Sequence, residues 1–204
     1  MNKAHLEFLA SPVWAEMLQT ELVPWLAQIA GLGNCVLEVG PGPGLTTDIL
    51  RARVSEVTAV EADPELAAAL AARLSGTNVT VLHADATKTG LESNRFSAVT
   101  CFGVLHHMPS AELQNRLFAE ACRMLRPGGV FVATDSLDSQ AIRKFHADDV
   151  FLPLDPATLV ARLQAAGLTS VRIAPSTHEL RFTATKPESA PQGSLTRGWS
   201  GFVK

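Results

Sequence analysis

The spacing of hydrophobic residues changes period repeatedly along the chain, and each change marks a new element. Short runs that are almost wholly apolar or β-branched read as strands buried on both faces. They are Cys35-Val36-Leu37-Glu38-Val39, Val57 to Glu61, Val79 to His83, Phe96 to Phe102 and Val130 to Thr134. Between them the apolar positions fall at helical spacing, over Leu45 to Arg53, Glu65 to Leu74, Glu112 to Leu125 and Pro156 to Ala166. The third of these places Leu113, Leu117, Ala121 and Leu125 on one face. Asp63-Pro64 starts one helix by capping it, Gly167 closes another, and Arg126-Pro127-Gly128-Gly129 stops a third. Upstream, Ser11-Pro12 opens a helix carrying Val13, Met17, Leu18, Leu22 and Leu26, which Pro24 is expected to kink or split and Gly31 to Asn34 to end. Asn2 to Ala10 reads as a short helix or arm, and Thr169 to Ile173 with His178 to Thr185 as a final strand pair.

Strands alternating with helices imply an α/β domain, a mainly parallel sheet with helices on both faces. Ligands of such a sheet bind beyond the carboxyl ends of its strands. The search for chemistry therefore narrows to the segments after Val39, Glu61, His83, Phe102 and Thr134. The expected organisation is an N-terminal helical segment and candidate lid over 1–32, a ligand-binding domain over 33–186, and a mobile tail over 187–204, rich in Ser, Gly and Pro.

Composition removes several function classes. A chain of 204 residues is large enough to bury one core. A net charge of −3 offers no basic surface for phosphate neutralisation, so no nucleic-acid partner is expected. Cys35, Cys101 and Cys122 form no CxxC pair, and the simplest reading is a reduced, cytoplasmic chain. Met1 to Ala10 lacks the apolar core of a signal peptide, and no later run is long and apolar enough for a membrane span.

The first loop, Glu38-Val39-Gly40-Pro41-Gly42-Pro43-Gly44, lets a ligand approach the backbone closely. A P-loop would need Gly-Lys-Ser/Thr, whereas Gly44 is followed by Leu45-Thr46. Pro41 and Pro43 each remove an N–H that a pyrophosphate would need, and Glu38 adds a negative charge that favours a cation. S-adenosyl-L-methionine, with a sulfonium, an ammonium and no phosphate, suits this loop. Glu61, at the end of the second strand, stands where an acidic residue accepts hydrogen bonds from ribose hydroxyls. Asp85, with the Ala86 backbone N–H, is placed to read adenine.

Taken in order, these motifs resemble the class I methyltransferases. Val36 to Gly44 looks like their first motif, Val60-Glu61-Ala62-Asp63-Pro64 like the ribose motif, and His83-Ala84-Asp85-Ala86 like the adenine motif. Phe96-Ser97-Ala98-Val99 through Leu105-His106-His107, with Leu125-Arg126-Pro127-Gly128-Gly129-Val130, is similar to small-molecule enzymes of the ubiquinone/menaquinone group. The resemblance implies a Rossmann-like doubly wound seven-stranded sheet, order 3-2-1-4-5-7-6, with strand 7 antiparallel. It implies S-adenosyl-L-methionine as cofactor, and Phe102-Gly103 meeting its amino group.

The acceptor would be a small molecule with an oxygen or carbon nucleophile. His106 and His107, just past the fourth strand, are the candidate general bases, His106 first because it is nearer the strand end. Trp14 and His146 are candidate acceptor contacts, and Leu105, Phe145 and Phe151 candidate apolar wall. No compact set of carboxylates with histidine suggests a metal, and none is expected. Two rival readings are a ribosomal RNA adenine methyltransferase, which the glycine-proline loop also resembles, and a nicotinamide-dependent oxidoreductase. The first is opposed by Cys101-Phe102-Gly103-Val104, where such enzymes carry an Asn-Leu-Pro-Tyr-like motif. The second is opposed by the two prolines and Glu38.

Overall fold

The computed structural model describes residues 3–29, 31–176 and 179–188. Seven strands form one sheet: β1 Cys35–Val39, β2 Glu56–Glu61, β3 Val79–His83, β4 Phe96–Phe102, β5 Leu125–Ser136, β6 Thr169–Pro175 and β7 Glu179–Thr185. Their order is β3-β2-β1-β4-β5-β7-β6. The pairs from β3 across to β5 are parallel, and β7 runs antiparallel to both β5 and β6. This is the sheet the resemblance implied. His178 and 189–204 of the tail lie outside the described residues.

Strands β1 to β5 divide their side chains between two cores, as the pleat requires, while β6 and β7 contribute to the first alone. Leu37, Val39, Val99, Phe131 and Ala133 face α6 (Ala111–Met124) and α8 (Pro156–Ala165), which contribute Phe118, Met124, Leu159 and Leu163. Val36, Val57, Ala98 and Val132 face the other way, towards the N-terminal helices and Ile49 and Leu50 of α4 (Leu45–Arg51). Phe96 and Ala98, two residues apart, fall in different cores because the β4–β5 register shifts between them.

Two elements differ from the sequence pattern. Arg126-Pro127-Gly128-Gly129 does end α6, but it is also strand: β5 begins at Leu125, directly after Met124. Pairing outweighs local propensity here. Gly128 N–H donates to Lys186 O, Lys186 N–H donates to Gly129 O, and Leu125 pairs with Phe96 across the register shift. The N-terminal helix is divided as Pro24 requires, though not by a break. After α1 (Lys3–Leu9) come α2 (Pro12–Met17), a wide π turn over Leu18–Leu22, and α3 (Val23–Gln28). The Val23 N–H reaches back to Leu18 O, so the extra residue is absorbed one turn before the proline. Leu18, Leu22 and Leu26 stay buried against the sheet.

Candidate active site

A cavity of about 1170 Å³ opens beyond the carboxyl ends of β1 to β5. It exceeds the upper end of ordinary ligand pockets, roughly 1,000 Å³, so a nucleotide and a second molecule fit together. One side is the glycine turn. Gly40 adopts φ 65°, its N–H donates to Val60 O at 2.9 Å, and a Cβ there would meet Val104 Cγ2 at 2.5 Å. Gly44 caps α4 with φ 89°, where a Cβ would strike Leu70 and Arg73. Arg73, on α5 (Pro64–Arg73), clamps the turn from behind. Its guanidinium donates to Asp48 at 2.6 Å and to the Pro43 and Gly44 carbonyls at 3.2 and 3.1 Å.

Glu61 joins this turn to the next strand. Its Oε2 accepts from Gly42 N–H and its Oε1 from Asp63 N–H, both at 3.0 Å. Each oxygen keeps a second lone pair for a ligand hydroxyl. Gly42 has no heavy atom within 4 Å of its Cβ position, so its face of the turn is open. Asp85 takes its Thr87 N–H and Thr87 hydroxyl bonds on one oxygen, Oδ1, at 2.8 and 2.9 Å. Pro41, Gly40, Gly42, Glu61, Ala62, Asp85, Ala86, Phe102 and Gly103 all line the same cavity. The Gly103 N–H is tied to Thr134 O at 2.9 Å, which fixes the backbone at the tip of β4.

Glu38 and Gly44 do not line it. Glu38 is 1 % exposed, behind the glycine turn, where Thr46 Oγ1 donates to its Oε1 while Oε2 has no hydrogen-bond partner. Burial pushes its carboxyl up to about 7. The charge expected at the mouth is therefore only partly present at neutral pH, and the carboxylates that line the cavity are those of Glu61, 8 % exposed, and the exposed Asp85. The open Gly42 face and the Glu61 and Asp85 carboxylates at the strand ends fit a phosphate-free cationic nucleoside such as S-adenosyl-L-methionine.

The opposite wall is a cluster of four imidazoles. His106 and His107 occupy the short 3₁₀ turn after β4 (Leu105–His107), His146 caps α7 (Gln140–Phe145), and His5 comes from α1. His106 is 2 % exposed, and Asp135, from β5, is 1 % exposed. Asp135 Oδ1 lies 2.7 Å from His106 Nδ1, while Oδ2 accepts the Leu105 and His106 backbone N–H groups at 2.9 and 3.3 Å. His106 Nε2 faces His146 Nε2 at 3.1 Å, and His146 Nδ1 lies 2.8 Å from Ile142 O. The Asp135–His106–His146–Ile142 chain is therefore a buried polar network paired from end to end.

His107 differs: both ring nitrogens are buried without a hydrogen-bond partner, and Asp149 Oδ2 stands 3.9 Å from Nδ1. Burial first, then the neighbouring His106 and His5, lower its pKa to about 3; burial, then His146 and His106, lower that of His5 to about 4. Both rings are neutral at pH 7. His106, His107, His146 and Trp14 all reach the cavity, as does Phe145. Leu105 does not: it is fully buried in the core, because the tip of β4 turns it inward. Phe151 stacks on His146, ring centroids 4.7 Å apart, rather than lining the cavity.

Sequence reasoning missed His5, Asp135, Thr46 and Arg73. Asp135 was discoverable, since it directly follows Thr134 in a segment marked as a site loop. His5 carries no local signal at all.

A doubly wound sheet in this strand order, with a glycine turn and acidic strand ends facing one cavity, defines the methyltransferase class of nucleotide-binding folds. A family model described as a methyltransferase domain matches residues 37–133. A ubiquinone biosynthesis O-methyltransferase of Pseudomonas fluorescens is 34 % identical over 125 residues, 58 % of this chain and 52 % of the relative. A probable ribosomal RNA small subunit methyltransferase A of Thermococcus onnurineus is 40 % identical over 62 residues, 30 % of this chain and 22 % of the relative. The chain thus spans about half, or less, of the length of the curated relatives it matches. The phosphoethanolamine N-methyltransferase 2 of Haemonchus contortus, solved with S-adenosyl-L-methionine, superposes with TM-score 0.71 at 15 % identity, over 86 % of this chain and 53 % of that one. The family model over residues 37–133, the ubiquinone O-methyltransferase relative and the neighbour solved with S-adenosyl-L-methionine together support a class I S-adenosylmethionine-dependent methyltransferase related to the ubiquinone group.

Proposed function

We propose that the chain transfers a methyl group from S-adenosyl-L-methionine to a small, partly apolar acceptor through an oxygen or carbon nucleophile. One observation carries this reading: a single cavity joins the glycine turn and Glu61 to the histidine cluster, under a wall from α1 and α2 that includes Leu6, Phe8, Leu9 and Trp14. The cofactor would supply a methyl group already activated by its sulfonium. The protein's part is alignment and exclusion of water, for which orientation can contribute on the order of 7–11 kcal/mol. Glu61 and the glycine turn hold the ribose side, and Asp85 with Ala86 the base. Phe102 and Gly103 form the floor between donor and acceptor. The N-terminal helices serve as the lid.

A hydroxyl acceptor must lose its proton as the S–CH₃ bond breaks and the O–CH₃ bond forms. His107, cavity-lining and free of hydrogen bonds at both ring nitrogens, would receive that proton; burial holds it near 3, so as a weak base it takes the proton only as the O–CH₃ bond forms and the oxygen becomes strongly acidic. His106, fixed by Asp135, positions the turn that carries it. The three cysteines are free, which fits a reducing, cytoplasmic setting. Among the described residues no helix is long and apolar enough to cross a membrane. Calorimetric titration with S-adenosylhomocysteine and with NAD, followed by a tritiated-methyl screen of metabolite pools with an RNA arm, tests the assignment. Binding of S-adenosylhomocysteine and labelling of a small molecule are expected. Binding of NAD alone, or label entering RNA alone, would overturn it.

A further inference from the structure

The histidine cluster has a geometry that proton transfer does not require. His5, His107 and His146 come from three separate elements, and one ring nitrogen of each lies within 4.8 Å of the others. Four-coordinate zinc holds imidazoles at about 2.0–2.1 Å, which sets ligand nitrogens roughly 3.4 Å apart. Ring rotations that move each nitrogen inward by about 1 Å close that difference.

The surroundings match those of ligating histidines. A metal-bound imidazole almost always donates its second N–H to a carbonyl or carboxylate, which fixes tautomer and ring plane. His146 Nδ1 is already paired with Ile142 O, so Nε2, which meets His106 Nε2 at 3.1 Å, is the atom that would turn to an ion. His107 Nδ1 faces the Asp149 carboxylate at 3.9 Å, leaving its Nε2. Both His107 nitrogens are otherwise buried and unsatisfied, which is costly unless something outside the protein takes them. Asp149 and Asp135 bring negative charge beside the rings. His106 Nε2, 3.1 Å from His146 Nε2, adds a fourth imidazole against the cluster.

We propose that His5, His107 and His146 form a binding site for a divalent transition-metal ion of the zinc class, with its remaining position open to the cavity. The donor set is three imidazoles, which suit zinc, cobalt, nickel or copper and not magnesium or calcium. An acceptor oxygen in the open position would be acidified by the ion and would lose its proton to water, with His107 acting as ligand instead of base. The inference lies at the site of the proposed methyl transfer but stands on ring geometry alone.

The test is titration of the chelator-treated full chain with Co²⁺, whose tetrahedral nitrogen complexes absorb in the visible. One saturable equivalent, displaced by Zn²⁺ and lost in both His5→Gln and His107→Gln, is expected. S-adenosylhomocysteine binding, measured in parallel, reports that each variant is folded and reads the methyltransferase assignment separately. Because His5 sits on the short N-terminal helix outside the sheet, His5→Gln serves if His107→Gln does not fold. Absence of a saturable Co²⁺ band, or its survival in the double variant, overturns the site and leaves His107 as the base.

Discussion

Glu38→Gln removes a buried titrating carboxyl with almost no change of shape, and its effect on stability has a definite sign. The carboxyl titrates near its ordinary 4.5 in the unfolded chain and at about 7 in the folded one. Between those values the folded protein keeps a proton that the unfolded chain has lost. The contribution is therefore fully present below pH 4.5 and is lost as pH rises through 7. A window of about 2.5 pH units at 1.36 kcal/mol per unit gives about 3 kcal/mol in total, of which most falls between pH 5 and pH 8. His5 and His107, lowered to about 4 and about 3, act in the opposite direction over part of this range, because the unfolded chain binds protons there that the folded one refuses. They are common to both proteins and cancel in the comparison. Urea unfolding of ligand-free wild type and Glu38→Gln at a series of pH values measures the difference directly. The variant should gain about 2–3 kcal/mol on the wild type from pH 5 to pH 8, or roughly 5–10 °C in melting temperature for a chain of this size. Parallel pH profiles for the two proteins would refute the burial argument.

Glu61→Ala should weaken S-adenosylhomocysteine binding by about 1.5–3 kcal/mol, the worth of hydrogen bonds to a charged group, read by calorimetry; unchanged affinity removes Glu61 from the site. Gly44→Ala should lower stability by about 1–3 kcal/mol, since the position holds φ 89° and the new Cβ meets Leu70 and Arg73; an unchanged melting temperature would show that the turn relaxes freely. Asp135→Ala should cost on the order of 3 kcal/mol, leaving the Leu105 and His106 donors unpaired; in the folded variant turnover should fall further than cofactor affinity. Equal losses in both would place Asp135 in the cofactor site instead.

What the chain determined by itself was the order of elements and the position of the cofactor loops. Strand and helix periods are local properties of neighbouring residues, so the runs ending at Val39, Glu61, His83 and Phe102 were legible, as were the glycine-proline turn and the acidic strand ends. Asp63 and Ser110 cap their helices with side-chain oxygens a few residues from the N–H groups they accept, and such short-range bonds also read directly. Tertiary structure decided what depends on distant neighbours. Pro127-Gly128-Gly129 reads as a stop, yet it is strand because Lys186 offers it backbone partners. Glu38 reads as an exposed charge at the mouth, but packing buried it and raised its pKa, since desolvation sums over everything packed around a group. His5 has no local feature to mark it. Only the fold brings it against His106, His107 and His146, because side chains that converge from separate elements are specified by the topology of the sheet and not by spacing along the chain.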